Sequence, residues 1–317
     1  MQSERRRRIA LTAALAGALV GACDRKHRES PSAPLPAPAK SEPAAQPKAC
    51  TLTPIATKLP AAKRLVGIGD LHGDIVGTRA ALLAAKVIDA SDKWIGGDTV
   101  VVQTGDILDR GDDEDDIYLL LERLDGEARK AGGAIVLLNG NHELMNVARD
   151  YRYVMPSAMA DFGGDRQKAF DPGGPWAKRL AHYNIVAIVN DTVFSHAGVL
   201  LDWVTQIDDI NLGSRCWLDG QAGGPADPPL ALASDSSPVW TRAYGMPEAI
   251  DCAQLADALT KLGAKRMVVG HTVQEKGITS ACDGALWRID VGLAGLYGGP
   301  IEVLELSEPP RVLRGSR

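Results

Sequence analysis

The sequence predicts an α/β domain with its reactive side chains gathered at strand ends. Three observations lead there. Short apolar, β-branched runs recur between residues 63 and 306, and the first is followed by a helical stretch, making one strand–loop–helix unit. Several of these runs end in a Gly-containing loop that carries Asp, Asn or His, where open α/β sheets place their ligands. At 317 residues the chain has material for one large domain or two small ones.

The first residues read as an address. Arg5-Arg6-Arg7-Arg8 is a positive n-region, and Ile9 to Ala22 is an apolar run too short to span a bilayer comfortably. Residues 1–22 are therefore expected to be a signal peptide. Leu19-Val20-Gly21-Ala22-Cys23 resembles a bacterial lipobox, in which Cys23 becomes the lipid-bearing N-terminus of an exported, membrane-anchored protein facing the periplasm. An ordinary cleavage site, giving a soluble periplasmic or secreted product, is the alternative. The paired arginines also allow a twin-arginine signal, and Asp24 favours inner-membrane retention. Residues 23–60 are expected to be a Pro/Ala-rich linker. Pro31, Pro34, Pro36, Pro38, Pro43, Pro47, Pro54 and Pro60 alternate with Ala, Lys and Ser, a composition that forms an extended tether rather than a core. Residues 61–310 are left for a catalytic domain.

The formal charge is −5, and loss of residues 1–22, with Arg5 to Arg8 against Glu4, makes the remainder more acidic. That balance excludes nucleic acid as the main partner, because phosphate backbones recruit basic faces. Beyond Cys23 stand Cys50, Cys216, Cys252 and Cys282. An even number in an exported chain points to disulfides, and four cysteines allow three pairings. None forms a Cys-x-x-Cys pair, so a thiolate metal site is not expected; buried free thiols are the alternative.

Lys63 to Gly69 reads as the first strand, ending in Gly69-Asp70-Leu71-His72-Gly73-Asp74. Asp-x-His puts two ligands on one face of an extended segment. Carboxylate with imidazole suits Mn, Fe or Zn better than Ca or Mg. Ile75 to Val87 reads as helix. Thr99 to Thr104 is a second, buried strand that delivers Gly105-Asp106-Ile107-Leu108-Asp109-Arg110-Gly111. The run Asp112-Asp113-Glu114-Asp115-Asp116 is expected to be a solvated helix N-terminus complementing the macrodipole, rather than an extra metal site.

Ala134 to Leu138 is a third strand ending in Asn139-Gly140-Asn141-His142-Glu143, where Asn141 offers a neutral oxygen and Glu143 reads as a helix cap. Residues 151–182 read as a helical or loop insertion over one side of the site, with His182 a surface or packing residue. Ile185 to Val189 and Thr192 to Ser195 predict two strands around Asn190-Asp191, the second ending at His196-Ala197-Gly198. Residues 202–250 look loop-rich and supply Arg242 within Val239-Trp240-Thr241-Arg242-Ala243-Tyr244-Gly245. A helix around Glu248 to Leu262 is followed by a strand, Arg266 to Val269, that ends in Gly270-His271-Thr272. Leu286 to Val291 and Ile301 to Leu306 are the last strand candidates.

Of six histidines, His72, His142, His196 and His271 directly follow strand-like runs. Gly-Asp-Leu-His-Gly-Asp, Gly-Asp-Ile-Leu-Asp-Arg-Gly, Gly-Asn-His-Glu, Ser-His-Ala-Gly and Gly-His-Thr, in this order, resemble the metallophosphoesterases, and among them the PPP-type phosphoprotein phosphatases. Asp112-Asp113-Glu114, Met145-Asn146 and Val-Trp-Thr-Arg-Ala-Tyr look like the bacterial Shewanella-like branch. Ala197 departs from the glycine of many PPP enzymes. The Ser-Ala-Pro-Asn-Tyr-Cys stretch of the Ser/Thr phosphatases is missing, with Tyr297 in Leu-Tyr-Gly-Gly at a comparable place.

The resemblance implies an αββα sandwich of two mixed sheets flanked by helices, with the site at strand C-terminal ends. It also implies two divalent metal ions, the first on Asp70, His72 and Asp106, the second on Asp106, Asn141, His196 and His271. Mn is the implied metal, with Fe or Zn as alternatives. A hydroxide between the metals would attack phosphorus in line. Arg110 and Arg242 would hold the phosphoryl oxygens, His142 would protonate the leaving group, and Asp109 would fix its ring. The implied substrate is a phosphorylated protein, at Ser/Thr or Tyr; dinucleoside polyphosphates or other small phosphate esters are a second enzymatic reading. A metal-dependent scaffold without turnover is the non-enzymatic one.

Overall fold

The computed structural model describes residues 50–229 and 233–317. The signal segment, the Cys23 lipobox and most of the Pro-rich stretch lie outside them. Two five-stranded mixed sheets pack face to face. The first has the order β10-β9-β1-β2-β3, from β1 (Leu65–Ile68), β2 (Val100–Gln103), β3 (Ala134–Leu137), β9 (Glu302–Glu305) and β10 (Arg311–Arg314). The second has the order β4-β5-β6-β8-β7, from β4 (Val186–Val189), β5 (Thr192–Ser195), β6 (Arg266–Val269), β7 (Thr279–Ala281) and β8 (Leu286–Arg288). β1, β2 and β3 run parallel, as do β5, β6 and β8; β9 pairs antiparallel to β1 and to β10, β4 to β5, and β7 to β8. Parallel central strands put several strand C-termini on one edge, and this makes a composite site possible.

Side chains two apart on a strand share a face, and these sheets use both faces. Leu65, Val102 and Leu304 of the first sheet meet Ala187, Val189, Phe194 and Val268 of the second in an inter-sheet core. A Cβ added at Gly67 would touch Ile289 and Phe194 at 3.3 and 3.4 Å, so the sheets approach closely there. The outer faces carry helices. α1 (Ile75–Ala84) and α2 (Glu114–Lys130) pack on the first sheet. α2 buries Ile117, Tyr118, Leu120, Leu121, Leu124 and Ala128, an i, i+3/i+4, i+7 stripe. Short helices α3 (Asn141–Val147), α4 (Arg166–Phe170) and α5 (Pro175–Leu180) follow. α6 (Ile207–Leu218) and α7 (Cys252–Leu262) complete the set among the described residues.

Several expectations are corrected. The span 202–250, read as loop-rich, contains α6, whose buried Ile210, Ser214, Trp217 and Leu218 keep helical spacing amid Gly- and Pro-rich flanks. The helix placed around Glu248 begins at Cys252, because the Asp251 carboxylate caps the N–H groups of Ala253 and Gln254. β7 and β10 were not foreseen. β10 is an edge strand of mixed exposure whose Arg311 and Arg314 reach Glu305 and Glu302, so it lacks an apolar run. The strand expected over Leu286–Val291 ends at Arg288.

Residues 50–60, expected within the linker, are tied to the domain. Cys50 bonds to Cys216 of α6, and Lys58 bridges to Ile188 of β4. Cys252 bonds to Cys282, which settles the pairing and removes the free-thiol alternative. His182 is exposed, in keeping with a surface role. The insertion 151–182 folds around an aromatic cluster: the Phe162 ring meets Phe170 and Trp176 edge-on at 4.9 and 4.6 Å.

Candidate metal centre

Three loops at the ends of β1, β2 and β3 build one wall. They lie so close that a Cβ on Gly73 would fall 2.5 Å from the carbonyl carbon of Gly111, and one on Gly140 would fall 2.2 Å from Asp106 Oδ1. Only glycine admits that approach. In these loops His72, Asp106, Asp109 and Arg110 take φ of 45°, 58°, 68° and 72°, and His271 on the facing sheet takes 67°. Left-handed backbone at non-glycine residues costs about 1–3 kcal/mol each and persists only where the surroundings enforce it. Glu143 does much of the enforcing. Its buried carboxylate accepts the N–H groups of Asp106 (2.8 Å), Ile107 (2.9 Å), Leu108 (3.2 Å) and Gly140 (2.7 Å). It caps α3, as expected from the sequence, and also clamps the Asp106 loop to the Asn141 loop.

The second sheet supplies the opposite wall, with His196 at the end of β5 and His271 at the end of β6. Each ring has one nitrogen tied to a backbone carbonyl. His196 Nδ1–H donates to Thr104 O (3.0 Å) and His271 Nε2–H to Trp240 O (3.2 Å). On the first wall, His72 Nδ1–H donates to Leu108 O (3.0 Å). The remaining nitrogens carry lone pairs and face inward. His196 Nε2 lies 2.8 Å from Asn141 Oδ1, 3.2 Å from His271 Nδ1 and 3.2 Å from Asp106 Oδ2. His72 Nε2 is 3.9 Å from the same Asp106 oxygen. With neutral rings these are acceptors pointing at acceptors, an arrangement that calls for a cation between them. Carboxylate, amide and imidazole donors fit Mn, Fe or Zn.

Electrostatics agree. Burial, helped by His196 and Arg242, lowers His271 to a pKa of about 3; burial, helped by His142 and Arg110, lowers His72 to about 4. Both rings are neutral at pH 7 and free to bind metal. Asp106 is fully buried, which would raise it, yet His196, His142 and His72 together hold it well below the usual carboxylate range. Asp106 Oδ1 accepts the His142 N–H at 2.9 Å, which leaves Oδ2 directed at the three rings. Two donor groups result, His72 with Asp106 and His142, and Asp106 with His196 and His271. Asp70 belongs to neither. Its carboxylate accepts the His271 N–H at 3.2 Å and shares a hydrogen bond with Asp290. Burial, then Asp290 and Asp106, push it well above the usual range.

His142 differs from the other three rings. Its Nδ1 meets a carboxylate, Asp109 Oδ2, at 2.6 Å. Burial would lower its pKa, but the charges of Asp106 and Asp109 outweigh burial and Arg110 and raise it. Asp109 is held in turn by Asn146 Nδ2 (2.9 Å) and Arg166 Nη2 (3.3 Å). Arg166 is itself fully buried and donates to both oxygens of Glu114 and to Asn146 Oδ1. Glu114, expected in a solvated acidic run, is thus 0% exposed, because it neutralises a buried guanidinium and accepts the Asp109 N–H.

Arg110 sits between two tyrosine rings, 4.8 Å from Tyr153 and 5.2 Å from Tyr297. It donates to the Tyr297 hydroxyl and lies 3.3 Å from His142 Nε2. Its Nε has no partner among the described residues. Arg242 is brought to the His271 loop, where Nη1 donates to Thr272 Oγ1 at 3.0 Å.

Sequence reasoning missed Arg166, Asp290, Tyr153 and the clamping role of Glu143. Asp290 had a signal: a lone acid between Ile289 and Val291 at the end of an apolar run. Asn146 had one too, four residues after His142 and so on the same helical face. Arg166 had none, since only tertiary packing brings it to Asp109.

A sequence profile of the calcineurin-like phosphoesterases matches residues 63–275. Shewanella-like protein phosphatase 2 of Arabidopsis thaliana is 38% identical over 300 residues, covering 79% of this chain and 76% of that protein. Shewanella-like protein phosphatase 1 of Plasmodium berghei is 34% identical over 251 residues, covering 75% and 69%. Among solved structures, a cold-active protein-tyrosine phosphatase of a psychrophilic Shewanella species is similar at a TM-score of 0.70 and 26% identity, over 82% of this chain and 83% of that one.

Proposed function

The chain belongs to the calcineurin-like phosphoesterase family, in its Shewanella-like branch, and is a metal-dependent hydrolase of phosphoric esters; from that premise we propose that it is a two-metal phosphoprotein phosphatase that favours phosphotyrosine. The observation that carries this reading is the convergence of acceptor atoms around Asp106 Oδ2 beside a histidine poised as an acid. His72 and Asp106 would hold one cation, joined by Asp70 if its carboxylate turns from Asp290, and Asp106, Asn141, His196 and His271 would hold the other. When bound, the two ions supply an activated water and neutralise phosphate charge. Arg110 and Arg242 hold the phosphoryl oxygens and offset charge developing on them. His142 gives the proton on Nε2 to the leaving oxygen, and Asp109 keeps the imidazolium oriented and stable.

The preference for an aryl ester rests on Tyr153 and Tyr297. Both rings flank Arg110 and are 42% and 36% exposed, so a phenol ring attached to a phosphate on Arg110 can stack beside them. Exposed Met155, Met159 and Leu296 on the same segments offer apolar contact to a peptide. The test is phosphate release from matched phosphotyrosine and phosphoserine/threonine peptides, with Mn²⁺ and with chelator. Mn²⁺-dependent release, faster from phosphotyrosine, is expected. Turnover of small esters or a dinucleoside polyphosphate without release from either peptide would overturn the protein-substrate reading.

We further propose that the chain is exported and anchored through a lipid on Cys23. The two disulfides support an oxidising compartment. Cys23→Ser should release the protein from membranes; retention would sink the anchor.

A further inference from the structure

Away from the catalytic residues, one buried guanidinium has two nitrogens without a partner among the described residues. Arg288, the last residue of β8, is 6% exposed, and neither its Nε nor its Nη1 makes a hydrogen bond among the described residues. The other buried arginines are satisfied. Arg166 holds Glu114, Arg266 holds Glu308, and Arg215 donates to the carbonyls of Ala181 and Thr53. Only burial acts on the ionisation of Arg288, lowering it, with no carboxylate opposing. An unpaired buried guanidinium is costly to keep, and such charges are ordinarily paired or used.

Arg288 lines a surface cavity of about 390 Å³ together with Gly245, Met246, Thr272, Lys276 and Thr279. Glu275 also borders it, as an exposed residue. The wall is firm: Gln274 Nε2 donates to the carbonyls of Gly245 and Thr272, and Gln274 Oε1 accepts from Thr279. The cavity adjoins the catalytic centre through Thr272. That residue follows His271, and its hydroxyl accepts from Arg242 at 3.0 Å, so its own proton remains available to a ligand.

We propose that this cavity is an oxyanion subsite that takes a second acidic group of the phosphoprotein substrate, whether an acidic side chain or a second phosphate. The inference rests on the phosphoprotein reading and adds a determinant of which peptides are taken. A guanidinium fork matches the paired oxygens of a carboxylate or phosphate, and Lys276 adds a second positive charge. The Arg242–Thr272 contact joins the subsite to the arginine assigned to the scissile phosphate.

The experiment compares the full-length wild type with Arg288→Gln and Arg288→Lys, using phenyl phosphate and three phosphopeptides: neutral-flanked, Asp/Glu-flanked and doubly phosphorylated. Melting temperatures establish that the variants fold. Phenyl phosphate and the neutral peptide should be hydrolysed as by wild type. KM should rise roughly tenfold in Arg288→Gln for at least one anionic peptide, less in Arg288→Lys, and the peptide affected identifies the source of the oxyanion. Equal changes on all substrates, or none on any, would overturn the proposal. If wild type hydrolyses phenyl phosphate but no peptide, the phosphoprotein reading has failed, and sulfate binding decides the subsite. Sulfate should still raise the melting temperature of Arg110→Gln, and that rise should vanish in the Arg110→Gln/Arg288→Gln double variant. Identical responses would rule out an oxyanion site at Arg288.

Discussion

Asp106 divides the centre into two unlike sides. Toward the second sheet, His196 and His271 each have one ring nitrogen tied to a backbone carbonyl, so the other nitrogen of each faces Asp106 and Asn141. Toward α3, His142 is tied to the Asp109 carboxylate, so it gains a proton more readily. The side chains are chemically identical, and the partner of the far nitrogen sets the role. In the proposed mechanism the carbonyl-tied rings are the metal ligands, and the ring on the Asp109 carboxylate is the acid. The difference also runs outward. The ligand side ends at the backbone, whereas the acid side continues through Asp109 to Asn146, Arg166 and Glu114, a buried ionic chain.

The shared residue gives the largest effect. Asp106→Asn keeps shape but removes the charge that both sides use. Turnover should fall by at least about 10³-fold, with loss of bound metal and a near-normal circular dichroism spectrum. An active Asp106→Asn enzyme would remove the basis for two metals. The two sides should then separate. His196→Asn should lose metal, whereas His142→Asn should keep it and lose roughly 10²–10⁴-fold in kcat, most for poor leaving groups. Metal analysis with a series of aryl and alkyl phosphates reads both. A loss for His142→Asn that is equal across leaving groups would make His142 a ligand like the others.

The same contrast separates what the sequence reveals from what it hides. Asp70, His72, Asp106, Asn141, His196 and His271 each follow a recognisable strand, and parallel strands deliver their ends to one edge whatever the rest of the chain does. Local pattern is enough to find them. Local pattern could not show that Asp70 would turn to Asp290 and the His271 N–H rather than to the other donors. On the acid side, Glu114 stands in an acidic run whose neighbours Asp113, Asp115 and Asp116 are at least partly solvated or unremarkable in the sequence, yet it alone is fully buried. Its reason, Arg166, is contributed by a Gly-rich insertion with no strand or motif to announce it. Edge strand β10 and the 50–60 arm escaped for the same reason: distant partners hold them, through Arg311–Glu305 and Cys50–Cys216.

A smaller effect probes how the carboxylate sets the acid. Asp109→Asn should lower kcat roughly tenfold and change its pH profile, since the imidazolium loses a stabilising charge. As the proposed acid, His142 would work protonated, and its alkaline limb would report the pKa that Asp109 helps to raise. Removing that charge therefore moves the limb to lower pH. The stability sign is the same: a raised folded pKa stabilises the fold fully below the unfolded value of 6.5 and is lost as pH rises through the folded one. Asp109→Asn should flatten that loss in melting temperature above neutrality. A limb that stays in place would mean that Asp109 orients the ring without setting its proton affinity.

The smallest effect on rate, and a large one on stability, belongs to the outer end of the ionic chain. Arg166→Met removes the cation but leaves Glu114 and Asp109 buried. Glu114 is already raised by burial against the pull of Arg166, so without that arginine it must take up a proton or stay charged at a cost. Breaking a buried pair from one side costs about 3–5 kcal/mol. Arg166→Met should therefore show a clear drop in melting temperature. Among surviving folded molecules the rate should fall only severalfold, because Asn146 still holds Asp109. Adding Glu114→Gln should restore part of the stability by removing the unpaired charge, while the Gln side chain cannot replace the lost contact of Arg166 to Asp109. Recovery of stability without recovery of rate would mark the chain as positioning His142 through Asp109. Recovery of both would reduce it to packing, and the two sides of Asp106 would then differ in the ring partner alone.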